Sequence, residues 1–147
     1  MQRHFTVRNA LVLLTILVIS APIGGLVLVA ELQRRDARPA LAPMLSLGAE
    51  VSSAPVAFQR RCAYFVHFEP ESSLDDATAE KLLALNRMPA GNSVFLYINT
   101  PRVTDDSLPV LERLVGVRRL HLAGSGLSDA GIKHLQVELP EADVWGR

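Results

Sequence analysis

The sequence predicts an α/β fold in which parallel strands alternate with short helices in a repeating array, placed after one apolar N-terminal helix. Three observations point there. Residues 94 to 114 lie over residues 118 to 138 at an offset of 24 with the apolar positions in register. Each copy opens with period-two alternation and continues into a Thr or Ser followed by Asp and apolar residues three apart. Ahead of the repeats, no charged residue occurs between Arg8 and Glu31.

The apolar run from Ala10 to Ala30 is long enough, at about 1.5 Å per helical residue, to span a bilayer of roughly 30 Å. Residues 1–9 form a short basic tail, and 10–30 are expected to be an uncleaved transmembrane anchor. A cleaved signal peptide is the competing reading, since Arg3 and Arg8 make a basic leader and Ala30 could end a cleavage site. Leu28 stands where such a site wants a small residue. Pro22, Gly24 and Gly25 predict a kink in the span, and Ala21 with Gly25 forms a small-xxx-small pair compatible with weak homodimerisation.

Arginines flank both ends, Arg3 and Arg8 before and Arg34, Arg35 and Arg38 after, so the positive-inside rule nearly ties. The short basic N-terminus favours an exported globular part, on the periplasmic or extracellular side. From 31 to 55 the chain is rich in Ala, Ser and Pro, which reads as a linker, and the globular domain is expected over 56–147. Acidic and basic residues balance at 15 each, with no basic stripe for a nucleic-acid backbone. A single cysteine, Cys62, allows no intrachain disulfide.

Within the repeats, Leu96 falls on Leu120, Ile98 on Leu122, Val103 on Leu127, Thr104 on Ser128, Asp105 on Asp129, Leu108 on Ile132 and Leu111 on Leu135. A further step of 24 puts Leu120 on Val144. The unit is therefore strand, turn, N-capped short helix. A looser first copy runs through "YFVHFEPESSLDDATAEKLLAL", with Val66 and Phe68 as strand residues and Ala79, Leu82 and Leu85 as a helix face. Its thirty-residue spacing to Leu96 predicts a longer, more regular helix. Strands joined by helices on one sheet run parallel with right-handed crossovers.

These residues resemble the leucine-rich repeat family, with its L-x-x-L-x-L-x-x-N/C-x-L pattern. "GLSDAGIKHL" and "RVTDDSLPVL" resemble its bacterial T-D-A-G-L variety, and "LPEADVW" is similar to its terminal cap. The resemblance covers about 94 to 145 well and 63 to 93 loosely, and implies a short solenoid. Departures are Pro101 and Ser125 at the Asn/Cys position, Ser93 and Val117 at the leading Leu position, and Pro109 early in its helix, which must start late or bend.

The stretch containing Ser128, Asp129, Lys133 and His134 carries hydrolase-like side chains. At the repeat positions of Lys133 and His134, however, the other copy has Pro109 and Val110, so only the cap and the apolar positions persist. Asp129 and His134 lie five apart, about 140° around a helix, and cannot face each other. The reading is a capped surface helix with no catalytic residue. "GSGLSDAG" lacks the third glycine of a dinucleotide fingerprint, and the pairs Asp75/Asp76 and Asp105/Asp106 sit where helix starts want carboxylates. No metal site and no cofactor are expected.

If Leu96, Leu120 and Val144 point inward, then Tyr97, His121 and Trp145 point outward, and His67 joins them. Phe65, Phe95 and Arg119 form a second row, and Glu69, Asn99 and Ala123 a third. The expected binding surface is His67, Phe95, Tyr97, Arg119, His121 and Trp145, because exposed aromatics and Arg are the usual interface anchors. Trp145 folding over the core end as a cap is the bland alternative. The leading function is a membrane-anchored, non-catalytic module for a protein or peptide partner. A hydrolase or metal enzyme using His67 and His121, or an eroded array with only a structural role, are the rivals.

Overall fold

A computed structural model describes residues 36–56 and 61–146. The expected membrane span over 10–30, its sidedness and its preceding basic tail lie outside the described residues. Among the described residues, no helix is long and apolar enough to cross a membrane.

The core is one mixed five-stranded sheet in the order β1-β2-β3-β4-β5. The strands are β1 (Glu50–Pro55), β2 (Cys62–Phe68), β3 (Ser93–Ile98), β4 (Val117–His121) and β5 (Asp143–Trp145). From β2 to β5 every neighbouring pair is parallel, and Val66, Leu96, Leu120 and Val144 stand side by side. All four are buried and share one apolar cluster with Leu74, Leu82, Val103, Leu111, Leu127 and Leu135. Burying a side chain of this kind contributes roughly 1.5–3 kcal/mol, so the inner face holds the sheet to its helices.

Residues 36–55, expected as a linker, are instead part of this packed unit. Helix α1, described over 36–46, buries Ala37, Ala40, Leu41 and Met44 on one face, and Leu47 follows them. Spacing of three and four residues explains that face. Gly48, at φ 82°, turns the chain into β1, and the Ser73 N–H donates to the Leu47 carbonyl at 2.8 Å. Strand β1 runs antiparallel to β2, with Glu50 opposite His67 and Ser52 opposite Phe65. Its connection to β2 is too short for a crossover, which is why the direction reverses here alone.

Between β3 and β4 the register shifts: Val94 faces Val117, 23 residues on, whereas Phe95 faces Arg119, 24 on. Arg118 is the extra residue of a bulge. This corrects the placement of Ser93 at the leading apolar position, since Val94 is the buried side chain there. A second correction concerns the turn. Pro101 is exposed and Thr100 is wholly buried, so the turns after β2, β3 and β4 each bury one hydroxyl residue, Ser72, Thr100 and Ser125, while Ser107 is buried in the second crossover. The Ser125 hydroxyl donates to the Leu122 carbonyl at 2.8 Å.

The crossovers differ in helix type. The first carries a 3-10 helix, Ala79–Arg87, rather than a regular α-helix. Its buried residues Ala79, Leu82 and Leu85 are each three apart, matching about three residues per turn. The second is split by Pro109 into a 3-10 turn, Asp105–Ser107, and a four-residue α2 (Leu108–Leu111). Proline at the start of α2 needs no N–H partner. The third is α3 (Asp129–Glu138), N-capped by the Ser128 hydroxyl accepting from the Gly131 N–H at 3.0 Å.

Candidate functional site

The outward face of the sheet is set by strand alternation. Because Val66, Leu96, Leu120 and Val144 fill the core, the residue after each projects to the other side. His67, Tyr97, His121 and Trp145 therefore form one row across four parallel strands, and β1 extends it with Glu50.

The rings in this row touch. His67 and Tyr97 stack with centroids 4.2 Å apart and planes 6° from parallel, and Tyr97 meets His121 at 5.6 Å with a 41° tilt. Tyr97 thus stands between the two imidazoles. Trp145 completes the row by register, beside His121, at 55% exposure. Below runs the second row, in which Phe65 stacks on Phe95 at 5.0 Å. The Arg119 guanidinium carbon lies 5.9 Å from the Phe95 centroid, and its Nε donates to Asp143 Oδ2 at 3.2 Å. All six residues of the expected surface occupy one face.

Toward the carboxyl ends of the strands, His67, Tyr97 and His121 border a shallow depression of about 290 Å³ whose far wall is Glu69, Asn99, Ala123 and Gly124. Asn99 Nδ2 donates to Glu69 Oε2 at 3.2 Å. On the β1 side of His67 a second depression of about 270 Å³ is lined by Glu50, Val51 and Ser52. The sequence reading missed Glu50 and Ser52 on this face, since "EVSSAP" has only Val51 as a clear inward residue. Asp143 was also missed; its carboxylate becomes visible only once β5 is placed beside Arg119.

A larger recess, about 710 Å³, lies between α1 and β1 and is walled by Leu41, Ala42, Leu45, Val51 and Tyr64, with Arg38 at its margin. Size alone favours it. The sheet face is the better candidate because it brings carboxylate, imidazole, phenol and amide groups together, whereas the recess offers one cation and serine hydroxyls on an apolar wall.

The stretch from Ser128 to His134 is taken up by architecture. Ser128 caps α3, and its own N–H donates to Asp105 Oδ1 at 2.9 Å. His134 Nε2 contacts Glu112 Oε1 at 2.9 Å across to the neighbouring helical segment. Ser128, Asp129 and His134 are not brought together. Glycines of "GSGLSDAG" serve close approach: a Cβ on Gly124 would sit 1.5 Å from Asn99 Oδ1, and one on Gly126 would sit 2.4 Å from the Pro101 carbonyl oxygen.

Carboxylates link successive coils. Asp76 accepts from the Thr104 N–H at 2.8 Å, from the Thr104 hydroxyl at 2.7 Å and from the Ser107 hydroxyl. Burial pushes the Asp76 carboxyl up, but these hydrogen bonds from Ser107 and Thr104 outweigh it and hold it below the usual carboxylate value. Asp105 is likewise held low by its hydrogen bonds from Ser128, and Asp75 by those from Thr78. Among the described residues, no group of three or more His, Cys, Asp or Glu side chains is placed to hold a metal ion.

Comparison with known proteins returns no matching family model, no matching curated protein and no matching solved structure.

Proposed function

We propose that this chain is a short array of leucine-rich-repeat type, tethered to a membrane through residues 10–30, which binds a protein or peptide on the outer face of its sheet without acting chemically on it. The observation that carries the reading is the row His67, Tyr97, His121 and Trp145, in register across four parallel strands, the first three half-buried and Trp145 exposed. Rigid aromatic side chains give large contact area at small entropic cost, and a parallel sheet fixes their spacing at about 4.8 Å. The 24-residue period and the parallel strand order support the repeat assignment.

The test replaces Tyr97 and His121 with Ser in the full chain and compares crosslinked partners recovered from membranes. Loss of a specific partner is expected. Capture identical to that of the original chain would remove the sheet face from consideration. The proposed sidedness is export of the domain, so a C-terminal tag is expected to be digested in intact cells; protection until permeabilisation would reverse it.

A further inference from the structure

We infer that the recess between α1 and β1 docks on an anionic phospholipid surface, Leu45 entering the acyl boundary and Arg38 meeting a lipid phosphate. The inference rests on the membrane tether proposed above and goes beyond it, since it gives the folded domain a second lipid contact and a fixed pose.

The recess is built from a stripe of α1 that the core does not use. Ala37, Ala40 and Met44 face inward, whereas Arg38, Leu41, Ala42 and Leu45, spaced three, four and seven residues from the first, line the recess. Val51 and Tyr64 complete an apolar wall of about 710 Å³ extent. Leu45 stands at 58% exposure beside it. A helix with a second apolar stripe and a basic residue on that stripe has the pattern of one lying in the plane of a membrane interface.

Two observations select lipid as the occupant. The first is where the preceding chain leads. Seven residues separate Ala30, the end of the apolar run, from Arg38, so the recess begins beside the point where the chain would leave the bilayer. The second is charge. Residues 34–49 hold three arginines, Arg34, Arg35 and Arg38, against one acid, Asp36. Among the described residues the exposed Arg38 forms no ion pair. Arginine lays its stem on apolar surface while its guanidinium reaches a phosphate, and a phospholipid interface presents that anion next to hydrocarbon. Cationic residues flanking a span are drawn to anionic leaflets in the same way.

The experiment places the full chain in nanodiscs of mixed phosphatidylcholine and phosphatidylglycerol, with an environment-sensitive fluorophore on Leu45→Cys or on Val115→Cys. Cys62 is buried, so the label goes to the introduced thiol, and Val115, 73% exposed in the connection to β4, reports a surface away from the recess. Lipids carrying a nitroxide near the top of the acyl chain are expected to quench residue 45 at least about threefold more than residue 115, as burial at the headgroup boundary implies. Arg38→Gln, or omission of phosphatidylglycerol, is expected to weaken that quenching. Equal quenching at the two sites would overturn the inference, as would quenching indifferent to both changes. A blue shift at residue 45 that lipid nitroxides do not quench and that grows with the protein-to-lipid ratio would put a second copy in the recess instead. A chain that enters the nanodiscs but shows water-like emission at residue 45 loses this contact and keeps its tether. A chain that fails to enter them loses both.

Discussion

Asp76 and Thr104, 28 residues apart in sequence, are joined by two hydrogen bonds, from the Thr104 N–H and from its hydroxyl, into one carboxylate. Asp105 makes the corresponding reach to the Ser128 N–H in the next coil. The helix starts of the second and third coils are thus satisfied partly by a side chain from the coil before, which fastens successive coils to one another. Asp129 occupies the same repeat position in the third coil and, among the described residues, has no such onward partner.

Asp76→Ala is therefore expected to lower stability by about 2–3 kcal/mol, because it removes a charged acceptor and strands partly buried donors. Asp129→Ala is expected to cost about 0.5 kcal/mol or less, the scale of a surface change near a helix start. Denaturant titration of the two variants side by side checks the contrast. Equal losses would mean that the carboxylates act only on their own helices.

Acid should weaken the same link. The Asp76 carboxyl is held below its usual value of 3.8 in the folded protein, so its contribution is fully present above that value. As pH falls through 3.8 toward the folded value, the unfolded chain takes up the proton first and the contribution is lost. Asp105 acts in the same direction. Thermal midpoints are expected to drop as pH falls below about 4, and the drop should be shallower in Asp76→Asn. A parallel decline in both proteins would assign acid sensitivity to other groups.

Gly124→Ala is expected to cost about 1–3 kcal/mol, as overpacking does. The added methyl would collide with the Asn99 side chain and also approach the Asn99 Cα to 2.8 Å. Asn99→Ala in the same chain should recover part of that loss and leave the backbone contact unrelieved. A double-mutant cycle measures it, and strict additivity would show that the two coils are not in this contact.

Gln136→Ala is expected to cost about 1 kcal/mol and to promote self-association. In a parallel strand, alternate residues direct their backbone groups to opposite neighbours. The Trp145 carbonyl accepts from the Leu122 N–H just past β4, so the Val144 carbonyl faces the free edge, where Gln136 Nε2 covers it at 3.0 Å. An uncovered edge recruits strands from other molecules. Sedimentation at rising concentration checks this, and an unchanged monomer fraction would count against edge protection by Gln136.

Much of the sheet was legible because its information is periodic. Leu96, Leu120 and Val144 mark an inner side, and alternation then assigns Tyr97, His121 and Trp145 to the outer one without knowledge of any contact. Thr104 and Ser128 were legible as caps for the same reason. What periodicity hides is lateral or singular. Within one unit Asp76 and Asp105 have the positions of carboxylates for their own helix starts, and nothing there reveals a partner in the next. Arg118 broke the 24-residue count through a bulge. In α1, Pro39 and Pro43 give the composition of a linker while Ala37, Ala40, Leu41 and Met44 keep a helical face. The strand β1 was hidden by its composition, Val51 being the one clear apolar residue of its six, and Glu50 was hidden with it.

The burial of Ala37 at the head of α1 shortens any leash the domain could have. With 31–55 as slack chain, the aromatic face would roam far from a bilayer holding residues 10–30. With the anchor proposed for residues 10–30 and packing already begun at Ala37, about six residues would intervene, a reach of roughly 20 Å when stretched taut. Under that proposal a partner would meet a domain held within this distance of the lipid.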